Sequence, residues 1–266
     1  MKNSGLRKYF DSIYSQWNQK EYISTDPLTT LFNYNSNIDI EIIGLISSSL
    51  AYGRVSQILK AIKIVSDKMD YSPALYLKSK NRSDIINDFK DFKYRFTKGK
   101  DISNLLIGIK YAIQEYDSLE NLFLSNYNKG KDITISMENF VKKLLNYSKS
   151  EANYLIPSPS KGSACKRLCL YIRWMVRKDD IDLGIWSKVS QEDILIPLDT
   201  HMFNISKKFG FTNRKSADLK TVIEITENFR KINKEDPIKY DFSLTRFGIM
   251  NLGTLSPSSA IDFLRK

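Results

Sequence analysis

The chain has 266 residues, of which 42% are hydrophobic, 27% charged and 12% aromatic. That is apolar material for one large domain or two small ones, and it excludes a disordered or fibrous chain. Lys and Arg outnumber Asp and Glu by 41 to 30, a formal net charge of +11, which favours an anionic partner; two cysteines are too few for a disulfide framework or a four-ligand cluster.

No stretch reaches the roughly 18 apolar residues of a membrane span. In Met1 to Gln19, the residues Arg7, Lys8, Asp11 and Gln16 interrupt any signal-peptide core. The expectation is a soluble cytoplasmic protein, associated with the nucleoid if its anionic partner is DNA.

The apolar spacing is helical almost throughout. Ile42, Leu45, Ile46 and Leu50 share one face, and Val55, Ile58, Leu59, Ile62 and Val65 another, with Gly53 as the break between them. Ser72-Pro73 reads as an N-cap followed by proline at the first helical position. Ile102, Leu105, Leu106, Ile109 and Ile113 repeat the pattern, as do Met137, Phe140, Val141, Leu144 and Leu145. Leu155 to Gly162, with two prolines and a glycine, reads as a turn. A helix is expected from near Gly162 to about Arg177, with Cys165, Leu168, Cys169, Ile172 and Val176 inward. Asp179 to Gln191 reads as a polar connection. A short helix spans Asp199 to Phe209 and stops at Gly210; Ser216 caps the next, and Asp236-Pro237 opens the last long one. Period-2 strands are scarce, so the fold class is all-α.

Six basic residues (Lys161, Lys166, Arg167, Arg173, Arg177 and Lys178) and no acid lie between Ser158 and Lys178. They suit either a solvated helix face or, behind a turn that feeds a helix N-terminus, a phosphate-binding surface. Asp199, at the head of its helix, is explained by capping alone, with Leu198 and Phe203 placed as a hydrophobic staple.

Leu198-Asp199-Thr200-His201-Met202, followed by Ser206-Lys207-Lys208-Phe209-Gly210, resembles the Val-Asp-Thr-His-Val segment of helix-hairpin-helix DNA glycosylases, which runs on to a basic pair and a Leu-Gly stop. Leu155 to Leu168 resembles their hairpin and the start of the helix bearing the catalytic lysine. Ala51 to Ala61 is similar to the loop and helix that enter the minor groove. The likeness is strongest to a bacterial branch related to the archaeal 8-oxoguanine DNA glycosylases, above all over Ser49 to Arg54 and Lys166 to His201.

The resemblance implies a two-lobed all-α fold, one lobe covering 38–178 and the other 1–37 with 179–266. It implies a nucleophilic lysine that attacks C1′ of a damaged nucleoside and an aspartate that assists, with a Schiff base permitting strand cleavage. Asp199 matches the aspartate. The lysine is open: alignment on Pro157 puts the catalytic position on Gly162, with Lys161 one residue early, whereas helix position and the neighbouring Arg167 favour Lys166. The family hairpin reads Leu-Pro-Gly-Val-Gly-x-Lys, from which Pro157 to Gly162 departs, putting its phosphate contact and the lyase step in question.

Lys161, Gly162, Arg167, Tyr52, Arg54 and His201 are the nucleic-acid-binding candidates, Tyr52 standing where relatives insert a side chain into the base stack. Each has a plain structural alternative; His201 suits a helix cap and Tyr52 a core position. Cys165 and Cys169 fit a helix core better than a metal site. Trp174 and Trp186 suit core packing better than stacking on an extruded base. No metal, no cofactor and no iron–sulfur cluster is expected. The function implied is excision of a damaged base from duplex DNA by a monomer, with no membrane partner. Two alternatives stay open: a non-catalytic binder of structured DNA or RNA with the same fold, and a helical protein-interaction module.

Overall fold

A computed structural model describes residues 3–150, 154–250 and 255–265. The chain is mostly helical and divides into two compact units, one of residues 25–161 and the other of residues 1–24 with 162–266. The sequence reading set the boundaries at 37/38 and 178/179. The division at 161/162 instead groups the helix bearing Lys166 with Asp199.

The unit of residues 25–161 is built on an aliphatic core. A 3₁₀ turn at Pro27–Asn33 leads to α2 (Asn37–Ser49); α1 (Asn3–Trp17) belongs to the other unit. Helix α2 is apolar around most of its circumference, so Ile42, Ile43, Leu45 and Ile46 are all fully buried. Burial of each such side chain contributes roughly 1.5–3 kcal/mol. Helices α3 (Val55–Lys68), α4 (Pro73–Ser79) and α5 (Arg82–Phe89) follow, α4 with proline at its first turn as expected. A two-stranded antiparallel hairpin, β1 (Lys93–Tyr94) and β2 (Thr97–Lys98), then leads into α6 (Gly99–Tyr116). The hairpin was not expected from the sequence, because two-residue strands have no alternation to detect.

Helix α7 (Leu119–Leu124) follows α6 directly, and α8 (Ile133–Ser148) packs along α6. Gly108 permits that approach, since a Cβ there would lie 2.6 Å from the Leu144 carbonyl oxygen. The buried Glu41 carboxylate accepts from the Leu119 and Glu120 amides at 2.9 and 3.0 Å. An anion at the N-terminus of α7 thus satisfies two amides that have no partner within the helix.

The other unit is packed with aromatic rings. On α1 (Asn3–Trp17), Phe10 is fully buried and meets Phe209, Phe211, Phe229 and Tyr240 at centroid distances of 5.2–6.4 Å. Helices α9 (Lys166–Val176), α10 (Thr200–Lys208), α11 (Leu219–Arg230), α12 (Asp241–Met250) and α13 (Pro257–Arg265) complete it.

Three starts differ from expectation. Helix α9 begins at Lys166 rather than near Gly162, because Cys165 takes a left-handed backbone with φ +48° that no helix can include. Helix α11 is capped by Asp218, whose carboxylate accepts from the Thr221 amide, and not by Ser216. Helix α12 starts at Asp241, beyond Asp236-Pro237. The inward face of α9 is as expected, with Cys165, Leu168, Cys169, Ile172 and Val176 all buried. Trp174 and Trp186 are core residues, the latter edge-on to Tyr171 at 5.3 Å. No helix among the described residues is long and apolar enough to cross a membrane.

Candidate functional site

Lys166 and Asp199 come together in one unit. The Lys166 Nζ lies 3.9 Å from Asp199 Oδ2, with the side chains 38% and 24% exposed. Both stand at helix starts, Lys166 as the first residue of α9 and Asp199 as the N-cap of α10. The two oxygens of Asp199 divide the work: Oδ1 accepts from the Met202 amide at 2.8 Å, which leaves Oδ2 turned toward the lysine. Capping therefore orients the carboxylate as well as closing the helix. Lys166 is not one turn inside its helix, as the sequence suggested, but at its open end.

The backbone before Lys166 is pinned. The Gly162 carbonyl accepts from the Leu219 amide at 3.2 Å, and Ser163 bridges to Asp218. The Ser163 hydroxyl accepts from the Cys165 amide, itself in the strained left-handed conformation, and the Cys165 carbonyl accepts from Cys169 at 2.9 Å. Such conformations cost on the order of 1–3 kcal/mol and persist where neighbours impose them. Here they fix where Lys166 leaves the chain.

Beneath this pair lies an ion network not foreseen from the sequence. Arg173 Nε donates to Asp182 at 3.0 Å and Nη1 to Asp241 at 2.7 Å; Arg177 Nη1 donates to Asp182 at 2.6 Å and Nε to Asp236 at 2.9 Å. Arg177 also pairs with Asp179 at 2.9 Å, and Asp179 accepts from Tyr14 and Asn18. Arg173 and Arg177 are both 2% exposed. They are thus removed from the expected phosphate-binding surface, because guanidinium groups buried to this depth are out of a phosphate's reach. Asp179 to Gln191 is not merely a polar connection either: Asp182 is as buried as Trp186 beside it.

Burial sets the proton affinities here. Desolvation pushes Asp241 from 3.8 up to about 7, with Asp199's charge adding to it and Arg173 opposing. Burial also raises Asp182, against the pull of both arginines. Asp179 goes the other way: although burial opposes ionisation, Arg177 and the Asp182 and Ile181 amides hold it down at about 2. Cys169 is fully buried and its thiol raised, first by burial, so it is no reactive thiolate. No group of three or more His, Cys, Asp or Glu side chains able to hold a metal occurs among the described residues.

The remaining candidates are scattered. His201 is exposed on the first turn of α10, Arg167 is half-buried on α9, and Gly162 is exposed with φ +74°. Lys161 and Arg54 are exposed in the other unit, Arg54 heading α3. Tyr52 is half-buried, and its hydroxyl lies 3.0 Å from the Tyr94 carbonyl, 2.6 Å from Thr97 Oγ1 and 2.9 Å from the Tyr154 hydroxyl. Inserting that ring into a base stack would break all three contacts.

The turn ahead of Lys161 already holds an anion. The Glu138 carboxylate of α8 accepts from the Ser160 amide at 3.0 Å, the Ser160 hydroxyl at 3.1 Å and the Ser158 hydroxyl at 2.5 Å. Lys142 pairs with it at 3.4 Å. Donors that the sequence pattern offered to a phosphate are thus spent on an internal carboxylate. No sequence signal marked Glu138, because the contact joins positions 20 residues apart through a turn.

No curated protein and no solved structure is significantly similar to the chain. Residues 26–250 match a family described as a protein of unknown function, DUF2400, and that match spans both units, including the Lys166–Asp199 pair; the chain belongs to the DUF2400 family.

Proposed function

We propose that this protein is a DNA glycosylase of the helix-hairpin-helix type that excises a damaged base from duplex DNA and acts as an AP lyase. The observation that carries the reading is the pairing of Lys166 and Asp199, 3.9 Å apart and part-exposed at two helix starts. Residues 33 positions apart in sequence meet with an amine and a carboxylate directed at one point. Reaching a glycosidic bond requires the nucleotide to leave the stack, and a half-exposed pair can receive it.

In this reading the Lys166 amine attacks C1′. The N–C1′ bond forms as the glycosidic bond breaks, and its electron pair leaves with the base, which takes up a proton. Asp199 Oδ2 stabilises the positive charge that develops on the sugar and accepts the proton lost by the amine. Opening of the sugar ring gives the Schiff base. Loss of a C2′ proton then expels the 3′-phosphate. Lys166 is preferred to Lys161 because Lys161 sits in the turn closed by Glu138 and belongs to the other unit.

Borohydride trapping on duplexes carrying oxidised, alkylated, deaminated or abasic sites tests this. Wild type forms a covalent complex with at least one of them, and Lys166→Gln forms none while binding DNA within about threefold of wild type. Trapping that survives in Lys166→Gln and vanishes in Lys161→Gln would overturn the assignment. A second reading, a non-catalytic binder of structured nucleic acid, is favoured by one observation: Glu138 fills the turn in which a phosphate would sit. It predicts neither trapped complex nor released base on any lesion.

A further inference from the structure

The most exposed large apolar side chain among the described residues is Phe96, 73% exposed at the tip of the β1–β2 hairpin. Tyr94 pairs with Thr97, so Arg95 and Phe96 alone form the turn. Arg95 has φ +50°, at a position where a two-residue hairpin turn favours glycine. An arginine there costs on the order of 1–2 kcal/mol. The strain is held in place from several sides. The Arg95 guanidinium lies 5.9 Å from the centre of the Tyr52 ring and 5.7 Å from that of Phe96, so it links the exposed ring to the buried base of the hairpin. Gly53, at φ +100°, makes room for it, since a Cβ there would collide with the guanidinium. Below, Tyr52, Tyr154, Thr97 and Tyr94 join through hydroxyl contacts. The result is an exposed aromatic ring on a rigid mount.

Its surroundings are cationic. Lys90, Lys93, Arg95, Lys98 and Lys100 are all exposed, with Asp91 the one acid between Lys90 and Lys100, and Arg54 is exposed on the loop against the hairpin. An apolar surface contact with a protein partner would gain little from such a ring of charge. A polyanion with stacked aromatic faces would gain from both parts.

We propose that the Arg95–Phe96 tip is a nucleic-acid wedge, in which Phe96 enters a base step of duplex DNA while the surrounding Lys and Arg side chains hold its phosphates. The proposal deepens the glycosylase reading by giving the second unit a DNA contact, and it rests on DNA being the partner but not on the Lys166 chemistry. It also explains why Tyr52 is tied down: it braces the wedge.

The test is fluorescence of 2-aminopurine in a duplex, which rises when the base is unstacked. Wild type should bind and raise the signal. Because the Phe96 ring packs on little besides Arg95, Phe96→Ala should keep its Tm within about 2 °C, lose the rise, and bind roughly 5- to 150-fold more weakly, the span of one lost stacking contact. Phe96→Trp should restore both. Wild-type binding with no rise, or an unchanged rise in Phe96→Ala, overturns the wedge and leaves the glycosylase reading standing. No binding to DNA at low salt overturns both. Acidic phospholipid vesicles are the control: Phe96-dependent sedimentation with vesicles, without base unstacking, would assign the tip to a membrane surface and overturn the proposal.

Discussion

Lys166 and Arg173 lie two turns apart on α9, on nearly the same face, and the structure uses them in opposite ways. Arg173 is buried, bonded at 2.7–3.0 Å to two carboxylates, and stacked 5.6 Å from the centre of Phe242. Lys166 is part-exposed and faces its single carboxylate at 3.9 Å, beyond hydrogen-bond length. A desolvated charge must be matched by fixed partners, because leaving it unmatched costs several kcal/mol. A part-exposed one keeps water as an alternative partner and can be redirected to a substrate. Residue type is nearly the same in the two cases; depth decides whether the cation is structural or available.

The comparison is broken most completely at Asp199. Asp199→Asn keeps an oxygen for the Met202 amide, so stability should stay within about 1 kcal/mol of wild type. Base release should nevertheless fall by at least about 100-fold. An Asn variant that is as active as wild type would reduce the pair to a cap and a surface contact.

At the buried end the expected loss is of stability instead. Arg173→Met leaves Asp241 without its guanidinium partner and Asp182 with Arg177 alone, and should cost about 3–5 kcal/mol by urea denaturation. A cost under about 1 kcal/mol would mean that water or a neighbouring group replaces the guanidinium, and the contrast between the two ends of α9 would fail.

The pH profile sharpens the same contrast. The carboxyl of Asp241, raised to about 7, binds its proton more tightly folded than unfolded. Its contribution to stability is therefore complete below pH 3.8 and is lost as pH rises through about 7. Asp179, lowered to about 2, contributes above its unfolded value of 3.8, and that contribution is lost as pH falls toward 2. Asp241→Asn should flatten the decline of the urea midpoint between pH 5 and 8 and leave the acid limb intact. An unchanged slope in that window would show that Arg173 keeps Asp241 ionised throughout.

The smallest effect is expected at Lys161, an exposed cation with neither a buried network nor a catalytic partner. Lys161→Gln should lower DNA affinity alike for all sequences and reduce the slope of log affinity against log salt by about one, the mark of one lost phosphate contact. A change in lesion preference without a change in slope would move Lys161 from backbone contact to recognition.

Much of this was legible in the residues. Helices α2, α3, α6 and α8 show in the spacing of their apolar residues, because a buried helix face repeats every 3.6 residues, whereas the short α5 and α7 gave no such pattern. The cap at Asp199 and the stop at Gly210 are local chemistry and stand where they were expected. The starts of α9 and α12 were not legible, since one depends on the left-handed backbone at Cys165, imposed by contacts with the α11 start, and the other on the burial of Asp241 against Arg173.

The sequence by itself determined the all-helical class, the apolar faces and the cap at Asp199. Only the tertiary structure decided which cations are free to act. Between Ser158 and Lys178 six basic residues read as one patch, yet Arg173 and Arg177 turn inward to Asp182, Asp236 and Asp241. It likewise decided that Glu138 fills the Ser158–Ser160 turn and that Phe96 stands clear of the hairpin that Tyr52 anchors. The physical reason is common to all three: periodicity and capping are set by neighbours in sequence, whereas the matching of a charge or the exposure of a ring depends on groups brought from tens of residues away.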